Sequence, residues 1–283
     1  MSFEQKAVIL NGLARGGTNI IWNILQSHPN VVSPVYEVNQ IIGTRSFLTP
    51  LKPLLVSNPI PSLAPLINRF VHRRFTSYKL KNLAIEDNRY KTENTPYSPD
   101  EVHNATLCIK GVCSANNWDI DYSDLLYQSF PQVFFIGLVR NGYAICEGWK
   151  RRGVSPKKAG KLYARYVDQL VNDQARYPDY KIIKFEDALQ APFAVAETLF
   201  GFIQETPTAI PKLRIKVKKT VNLKQKHRTH YGELNRKYWF SQETIGEIIK
   251  PDINHLQVNG LSEQEKAIFK KEAQEALKYF SYE

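Results

Sequence analysis

The sequence predicts an α/β fold in which a central, mostly parallel β-sheet lies between two layers of helices. Short apolar segments alternate along the chain with amphipathic ones, the pattern of strands that are each followed by a helix. Residues 133–139 are almost wholly apolar, which is typical of a strand buried on both faces of a parallel sheet. The 283 residues are 43% apolar, enough for one large core, so we predict a single domain over residues 1–283.

The hydrophobic pattern places each element in turn. Residues 7–13 form the first strand, and residues 18–27 form a helix with Ile20, Ile21 and Ile24 on one face. That helix ends before Pro29, because proline disfavours the helical conformation in the residue before it. The remaining predicted strands are 31–35, 106–111, 133–139 and 180–185, and the remaining helices are 63–78, 123–129, 142–151, 156–175, 193–203, 241–249 and 262–280.

Two segments depart from this alternation. Residues 43–100 are rich in proline and basic residues and contain one predicted helix, so we interpret them as an insertion that shapes a substrate pocket. Residues 206–240 are basic and predicted to be rich in loops.

Composition excludes several classes of protein. No apolar run is long enough for a transmembrane helix, and the N-terminus lacks the features of a signal peptide. Cys108, Cys113 and Cys146 lack the spacing of a metal site, so we expect buried thiols, no metal and a cytoplasmic location. The net charge of +11 favours anionic ligands, but no nucleic-acid-binding motif accompanies it, and specific nucleic-acid binding is not expected.

A glycine-rich loop lies between the first strand and the first helix. Compared with the phosphate-binding pattern GxxxxGK[ST], Gly12 and Gly17 match the glycines, whereas Thr18 replaces the lysine and Asn19 replaces the magnesium-binding hydroxyl. The loop therefore retains an anion cradle at a helix N-terminus without the residues that hold Mg-ATP. It predicts a P-loop NTPase-like fold that binds a phosphate carrying a different group, with Arg15 supplying charge. The alternative is a turn that serves only geometry.

Arg140 directly follows the predicted strand 133–139 and precedes a helix. The carboxyl ends of parallel strands form the ligand-binding edge of such sheets, so Arg140 is a candidate for a second anion site. Taken alone, it is more typical of an ordinary cation at the end of a strand.

Three segments together resemble the sulfotransferases that use 3′-phosphoadenosine 5′-phosphosulfate (PAPS). The resemblance covers roughly residues 6–205 and is closest in style to carbohydrate, tyrosylprotein and bacterial members. The segments that carry it, in family order, are Arg15-Gly16-Gly17-Thr18-Asn19, Leu138-Val139-Arg140-Asn141-Gly142 with Trp149-Lys150-Arg151-Arg152 downstream, and 182–192 with Phe185-Glu186-Asp187.

The resemblance implies how the cofactor binds. Arg15, Gly16, Gly17, Thr18 and Asn19 are expected to hold the 5′-phosphosulfate, and Arg140 the 3′-phosphate. The family usually has serine at the positions of Gly16 and Gly148, so two hydroxyl contacts are absent here, and backbone N–H groups are expected to replace the one at Gly148. A basic C-terminal loop often closes over the cofactor in this family, which makes 206–240 a predicted lid. The residues of this lid expected to contact the cofactor are Lys226 and Arg228.

The resemblance also implies catalytic roles. Glu37 comes shortly after His28-Pro29, as a glutamate does in the family, and is the predicted general base; His72 and His103 are rival bases, and the other interpretation of Glu37 is a surface glutamate. Lys110 ends the strand 106–111, where related enzymes carry a lysine near the sulfate; the alternative is a solvated lysine. Arg15 is expected to neutralise the leaving phosphate. The inferred in-line transfer requires no metal and yields 3′,5′-adenosine bisphosphate.

Two other functions remain open at this point. One is a small-molecule kinase with an altered phosphate loop, and the other is a module that binds nucleotides or polyanions without catalysis. The acceptor class (sugar, peptide, lipid or small metabolite) and the oligomeric state are not specified by the sequence.

Overall fold

The computed structural model describes residues 5–43, 45–57, 61–205, 210–217, 220–221, 228–229 and 231–283, with the backbone alone at residues 86, 220–221 and 228–229. Its strands are β1 (Lys6–Leu13), β2 (Val31–Val32), β3 (Thr106–Ser114), β4 (Asn117–Trp118), β5 (Gln132–Val139), β6 (Tyr180–Lys184), β7 (Leu213–Lys216), β8 (Thr220–Val221), β9 (Arg228–Thr229) and β10 (Lys237–Phe240).

The helices lie on both faces of the sheet. They are α1 (Thr18–Leu25), α2 (Val38–Ile41), α3 (Lys52–Ser57), α4 (Ala64–Lys81), α5 (Pro99–Asn104), α6 (Ser123–Ser129), α7 (Gly142–Lys150), α8 (Pro156–Arg176), α9 (Phe185–Gln190), α10 (Pro192–Phe202), α11 (Ile253–Val258) and α12 (Glu263–Tyr279).

The predicted fold class is confirmed by the main sheet. Its order is β2-β3-β1-β5-β6 with all five strands parallel, and β4 pairs antiparallel with β3. β1 lies between β3 and β5, and Leu10 is in register with Lys110 on one side and Ile136 on the other. The chain leaves β1 toward β2 on one side, while β5 lies on the other. The carboxyl end of β1 is therefore at the switch point where ligands bind in such sheets.

Alternating residues of β1 point into two separate apolar layers, because successive side chains of a strand point to opposite faces. Ala7 and Ile9 pack in one layer with Tyr166 of α8, and Val8 and Leu10 pack in the other with Ile24 of α1. Both layers are closed to solvent, which fixes the ends of β1 and β5 and thus the positions of the residues that follow them.

The C-terminal third departs from the prediction. The helix predicted at 241–249 is wrong: only a single 3₁₀ turn, Ile245–Glu247, forms there, because Gly246 and the β-branched residues around it disfavour a helix. α11 was not predicted. The segment predicted to be rich in loops contains β7, which pairs antiparallel with β10.

The segment predicted as an insertion contains α3, α4 and the start of α5. Within its described residues the only strand pairing is an isolated bridge between Tyr90 and Pro96. The described helices include none that is both long enough and apolar enough to cross a membrane.

Candidate active site

The loop after β1 has the backbone geometry of an anion cradle. Gly17 adopts φ of 91°, a left-handed conformation that glycine tolerates best, and a Cβ here would lie 2.2 Å from Cδ2 of Phe185. Gly17 is also the N-cap of α1, and no side chain caps this helix within the described residues. The N–H of Ile20 donates to the carbonyl oxygen of Gly17 at 2.9 Å, so the N–H groups of Thr18 and Asn19 are the ones left for a ligand, at the end where the helix dipole favours negative charge.

Arg15 is the charged residue of this loop. It adopts φ of 74°, a conformation that costs energy for a residue with a Cβ and is typical of functional sites. Burial and the nearby charges of Arg152 and Arg151 lower the pKa of Arg15. This repulsion between cations is what an anionic ligand would relieve.

Arg140 follows β5 and lies against the same loop. Its guanidinium donates hydrogen bonds to the carbonyl oxygen of Arg15 at 2.6 Å, to Oδ1 of Asn254 at 2.7 Å and to Oε1 of Gln257, and it lies 4.8 Å from the centre of the Phe185 ring. Burial lowers the pKa of Arg140 to about 10. The two predicted anion-binding arginines are thus neighbours in space.

Glu186 holds the residues next to Arg140 in place. Its carboxylate accepts hydrogen bonds from the N–H of Asn141 at 2.9 Å, from Nδ2 of Asn254 and from the hydroxyl of Tyr282 at 2.7 Å. Asn254 therefore connects Glu186 to Arg140. The Phe-Glu-Asp segment acts here by positioning the arginine of the preceding motif.

Arg15, Gly17 and Arg140 line a cavity of about 300 Å³, which we call the Arg140 cavity. Its wall has an apolar part that includes Phe185, Leu189 and Ile248. Among the described residues of its wall, none is acidic and five carry cationic side chains: Arg15, Arg140, Arg151, Lys216 and Lys250. A ligand with an apolar ring and several negative charges suits such a cavity.

On the other side of the loop, Lys110 joins two predicted site residues. Its ammonium donates to Oδ1 of Asn19 at 2.6 Å and pairs with Oε1 of Glu37 at 2.6 Å, and it lies 4.5 Å from the centre of the Trp22 ring. Lys110 is 2% exposed, and burial lowers its pKa against the opposing effect of Glu37. The alternative of a solvated lysine is therefore wrong. Glu37 is 30% exposed and accessible.

A second cavity of about 520 Å³, the Glu37 cavity, opens at this pair. Its wall includes Glu37, Lys110 and Trp149, together with Arg45 and Arg152. Three loop residues, Arg15, Thr18 and Asn19, line both cavities. The loop is thus a shared wall between two sites of different composition.

The structure explains why glycine stands at the two positions where the family usually has serine. A Cβ at Gly148 would lie 3.0 Å from Cγ of Arg15, so the stem of Arg15 occupies the space of the missing side chain. Gly148 lies buried inside α7, behind that stem. A Cβ at Gly16 would lie 2.8 Å from the carbonyl oxygen of Leu13, too close for any side chain without a shift of the backbone.

The other candidates lie elsewhere. His72 is buried in α4 with its ring 5.1 Å from Phe130, and His103 lies in α5; neither belongs to the wall of either cavity. Lys226 is outside the described residues, and for Arg228 only the backbone, in β9, is described. Of the predicted lid, Ile215 and Lys216 line the Arg140 cavity.

Sequence reasoning missed the anchors of Arg140 and two cations of the Glu37 cavity. Asn254 and Gln257 lie one turn apart on α11, a short helix without a strong apolar period. Arg45 and Arg152 are surface arginines in irregular segments, and only their shared cavity distinguishes them. Among the described residues, no group of three or more His, Cys, Asp or Glu side chains is placed to hold a metal ion.

No protein-family model matches the sequence, and no curated protein matches it. Among solved structures, the chain is similar to the sulfotransferase domain from the Synechococcus PCC 7002 olefin synthase, at 16% identity and a TM-score of 0.47, over 74% of this chain and 78% of that one. It is similar to the sulfotransferase domain from the curacin biosynthetic pathway at 14% identity and a TM-score of 0.47, over 99% and 98%. It is also similar to sulfotransferase STF1 from Mycobacterium tuberculosis at 13% identity and a TM-score of 0.40, over 73% and 69%. At these identities and TM-scores, the proposal below depends on this chain's own residues.

Proposed function

We propose that this chain is a sulfotransferase that transfers the sulfuryl group of PAPS to an acceptor hydroxyl or amine. The observation that carries the proposal is the shared wall: Arg15, Thr18 and Asn19 line both the Arg140 cavity and the Glu37 cavity. A group bound at this loop is within reach of both sites. Direct transfer between two bound molecules needs such an arrangement.

The residues of the Arg140 cavity fit this cofactor. The N–H groups at the start of α1 and the charge of Arg15 would hold the 5′-phosphosulfate, and Arg140 would hold the 3′-phosphate. The apolar wall formed by Phe185, Leu189 and Ile248 offers a surface for the adenine ring. The cationic side chains of its wall balance the several negative charges of this molecule.

When bound, the cofactor supplies the sulfuryl group, whose sulfur–oxygen bond to the 5′-phosphate breaks as the acceptor oxygen or nitrogen bonds to sulfur. Glu37 takes the proton that the acceptor loses, and the products are the sulfated acceptor and 3′,5′-adenosine bisphosphate. Lys110 holds the Glu37 carboxylate at 2.6 Å and Asn19 of the loop at 2.6 Å, and so fixes the base relative to the transferred group. Arg15 stabilises the charge that develops on the leaving phosphate.

The proposal is tested by ligand-induced thermal stabilisation, because a ligand that binds the folded state raises the melting temperature by mass action. The ligands are 3′,5′-adenosine bisphosphate, 5′-AMP and ATP with magnesium, each at the same concentration. The bisphosphate is expected to raise the melting temperature most, since it alone carries a 3′-phosphate for Arg140. Equal shifts, or the largest shift with magnesium-ATP, would contradict the proposal and favour a kinase. Bisphosphate binding without transfer from labelled PAPS to a broad acceptor panel would favour a non-catalytic module.

A further inference from the structure

The Glu37 cavity carries an excess of positive charge. Among the described residues that line it, four side chains are cationic and one is a carboxylate, which leaves an excess of three positive charges. Lys110 and Glu37 neutralise each other at 2.6 Å, and Arg15 belongs to the loop shared with the Arg140 cavity. The charges that remain are those of Arg45 and Arg152.

Arg45 and Arg152 come from different parts of the fold, and both line this cavity. Arg45 follows α2, and Arg152 follows α7. Within the described part of the chain, no carboxylate lies within ion-pair distance of either guanidinium. The neighbouring Arg151, by contrast, pairs with Glu147 at 2.8 Å. The difference shows that this fold supplies a partner to one arginine of the adjacent pair and leaves the other facing the cavity.

The rest of the wall suits a polar ligand. Asn39, Asn116 and Asn117 also line it, and amide side chains can serve hydroxyl groups as donors and acceptors, although the amide nitrogen of Asn117 already donates to the carbonyl oxygen of Val112. Guanidinium groups bind carboxylate, phosphate and sulfate in a planar, often bidentate geometry. A ligand with an oxyanion would therefore find its counter-charges already in place.

We propose that the acceptor carries an anionic group, a carboxylate, phosphate or sulfate, which Arg45 and Arg152 bind while the acceptor hydroxyl lies at Glu37. This inference rests on the proposed function and adds the chemical class of the acceptor. Both arginines are exposed, so their contribution is screened by salt, and we expect each to improve binding about 3- to 10-fold at low ionic strength.

The test uses four probes that share one ring: glucose, glucuronate, glucose 6-phosphate and glucose 6-sulfate. Their affinities are measured calorimetrically with the protein saturated with 3′,5′-adenosine bisphosphate. At least one anionic sugar is expected to bind about 10-fold or more tightly than glucose, with an advantage that falls as salt is added. The order among the three anions separates a carboxylate from a phosphate or a sulfate as the preferred group.

Arg45→Gln and Arg152→Gln are expected to reduce the anionic advantage, which is the ratio of the affinity for an anionic sugar to the affinity for glucose. Neither residue lines the Arg140 cavity, so bisphosphate affinity should stay the same in Arg45→Gln. The matched control is Arg69→Gln, which removes an exposed arginine from α4, outside both cavities, and should preserve the anionic advantage.

The outcomes separate the two proposals. If the wild type binds the bisphosphate but binds all four sugars alike, or none of them, the anionic-acceptor inference is wrong and the proposed function stands. An anionic advantage that Arg45→Gln and Arg69→Gln reduce equally would show only a general charge effect and would also overturn it. Failure of the wild type to bind the bisphosphate would remove both.

Discussion

The Arg140 cavity and the Glu37 cavity share one loop but differ in how their charged groups are held. Arg140 is 5% exposed, and Arg15, Asn254, Gln257 and Phe185 hold its guanidinium from several directions. In the Glu37 cavity, the pair of buried Lys110 and half-buried Glu37 lies beside exposed arginines that have no ion pair among the described residues. In the Arg140 cavity, Arg140 is held in place without a ligand. The Glu37 cavity combines the fixed pair of Lys110 and Glu37 with arginines that no described ion pair holds.

This difference suggests a division of tasks. A fixed site binds one ligand with a low entropic cost of ordering, which suits a constant cofactor. Adaptable surface arginines accept ligands of varied shape at a modest gain in affinity, which suits selection by charge.

The largest effect is expected at the fixed part of the Glu37 cavity. Glu37→Gln retains the size of the side chain but removes the proton acceptor, so turnover should fall about 10²- to 10⁴-fold. Affinity for 3′,5′-adenosine bisphosphate, measured calorimetrically, should change little, because Glu37 lies outside the Arg140 cavity. Glu263→Gln changes an exposed glutamate of α12, which pairs with Lys266 at the surface, and serves as the control. Full turnover in Glu37→Gln would exclude this residue as the base.

Arg140→Ala probes the fixed cavity itself. Loss of a charged donor should weaken bisphosphate binding about 10- to 100-fold, with a smaller loss for 5′-AMP, which lacks the 3′-phosphate. Arg140→Lys retains the charge but not the planar guanidinium, so its affinity for the bisphosphate should lie between those of the wild type and Arg140→Ala. Arg176→Ala, which removes an exposed arginine of α8 paired with Asp124, is the control. Equal losses for both nucleotides would mean that Arg140 only supports the loop.

A buried carboxyl group behind the Glu37 cavity predicts a pH effect. Burial raises the pKa of Asp119 from 3.8 to about 7, and its Oδ1 has no hydrogen-bond partner among the described residues. The folded protein therefore retains a proton that the unfolded chain releases between about pH 4 and 7, and the free energy of unfolding should fall as the pH rises through this range. Asp119→Asn removes this slope.

Denaturant unfolding at several pH values checks this. Asp119→Asn should be about 1–3 kcal/mol more stable than wild type above pH 7, with the difference vanishing toward pH 4. Asp173 in α8, whose pKa burial raises from 3.8 to about 6, gives a second measurement of the same effect. Asp173→Asn should remove its own contribution over the narrower range between about pH 4 and 6. A constant difference at all pH values would contradict the assigned pKa.

The smallest effect concerns the loop that joins the two sites. Arg15→Gly relieves the left-handed backbone at φ of 74° and should leave the free energy of unfolding unchanged or raise it by up to about 1 kcal/mol. The same change removes the charge at the leaving phosphate, so turnover should fall while stability does not. Arg15→Ala, which retains the strain, should lose turnover without gaining stability. A less stable Arg15→Gly would show that the Arg15 side chain holds the loop together.

Local patterns predicted the sheet and its ligand-binding edge. The apolar run of β5 and the glycine-rich loop after β1 are contiguous in sequence, so the positions of Arg15 and Arg140 follow from the ends of buried strands. The contact of Lys110 with Glu37 was not predicted, although each residue was, because it depends on how β3 lies beside α2. Parallel topology brings such residues together from distant parts of the chain.

The remaining features have no local signal. β7 pairs with β10 across a basic segment, and the pairing depends on contacts between strands rather than on the composition of either one. Nothing in the sequence distinguishes Asn254 and Gln257 from other polar residues, because their role depends on the position of α11 beside Arg140. At 241–249 the opposite happened: the local pattern predicted a helix that does not form. Gly246 disfavours a helix there, and Ile245 and Ile249 pack instead into the apolar layer against the sheet.

The hydrogen bonds of Arg140 also bear on how the protein is made. They reach Arg15, 125 residues earlier, and Gln257, 117 residues later. Contacts of such long range form late in folding, because the intervening chain must first be ordered. A nascent chain that has emerged only as far as β6 therefore carries both phosphate motifs but lacks the helix that fixes the arginine between them. Nucleotide binding should accordingly appear only when synthesis has passed α11.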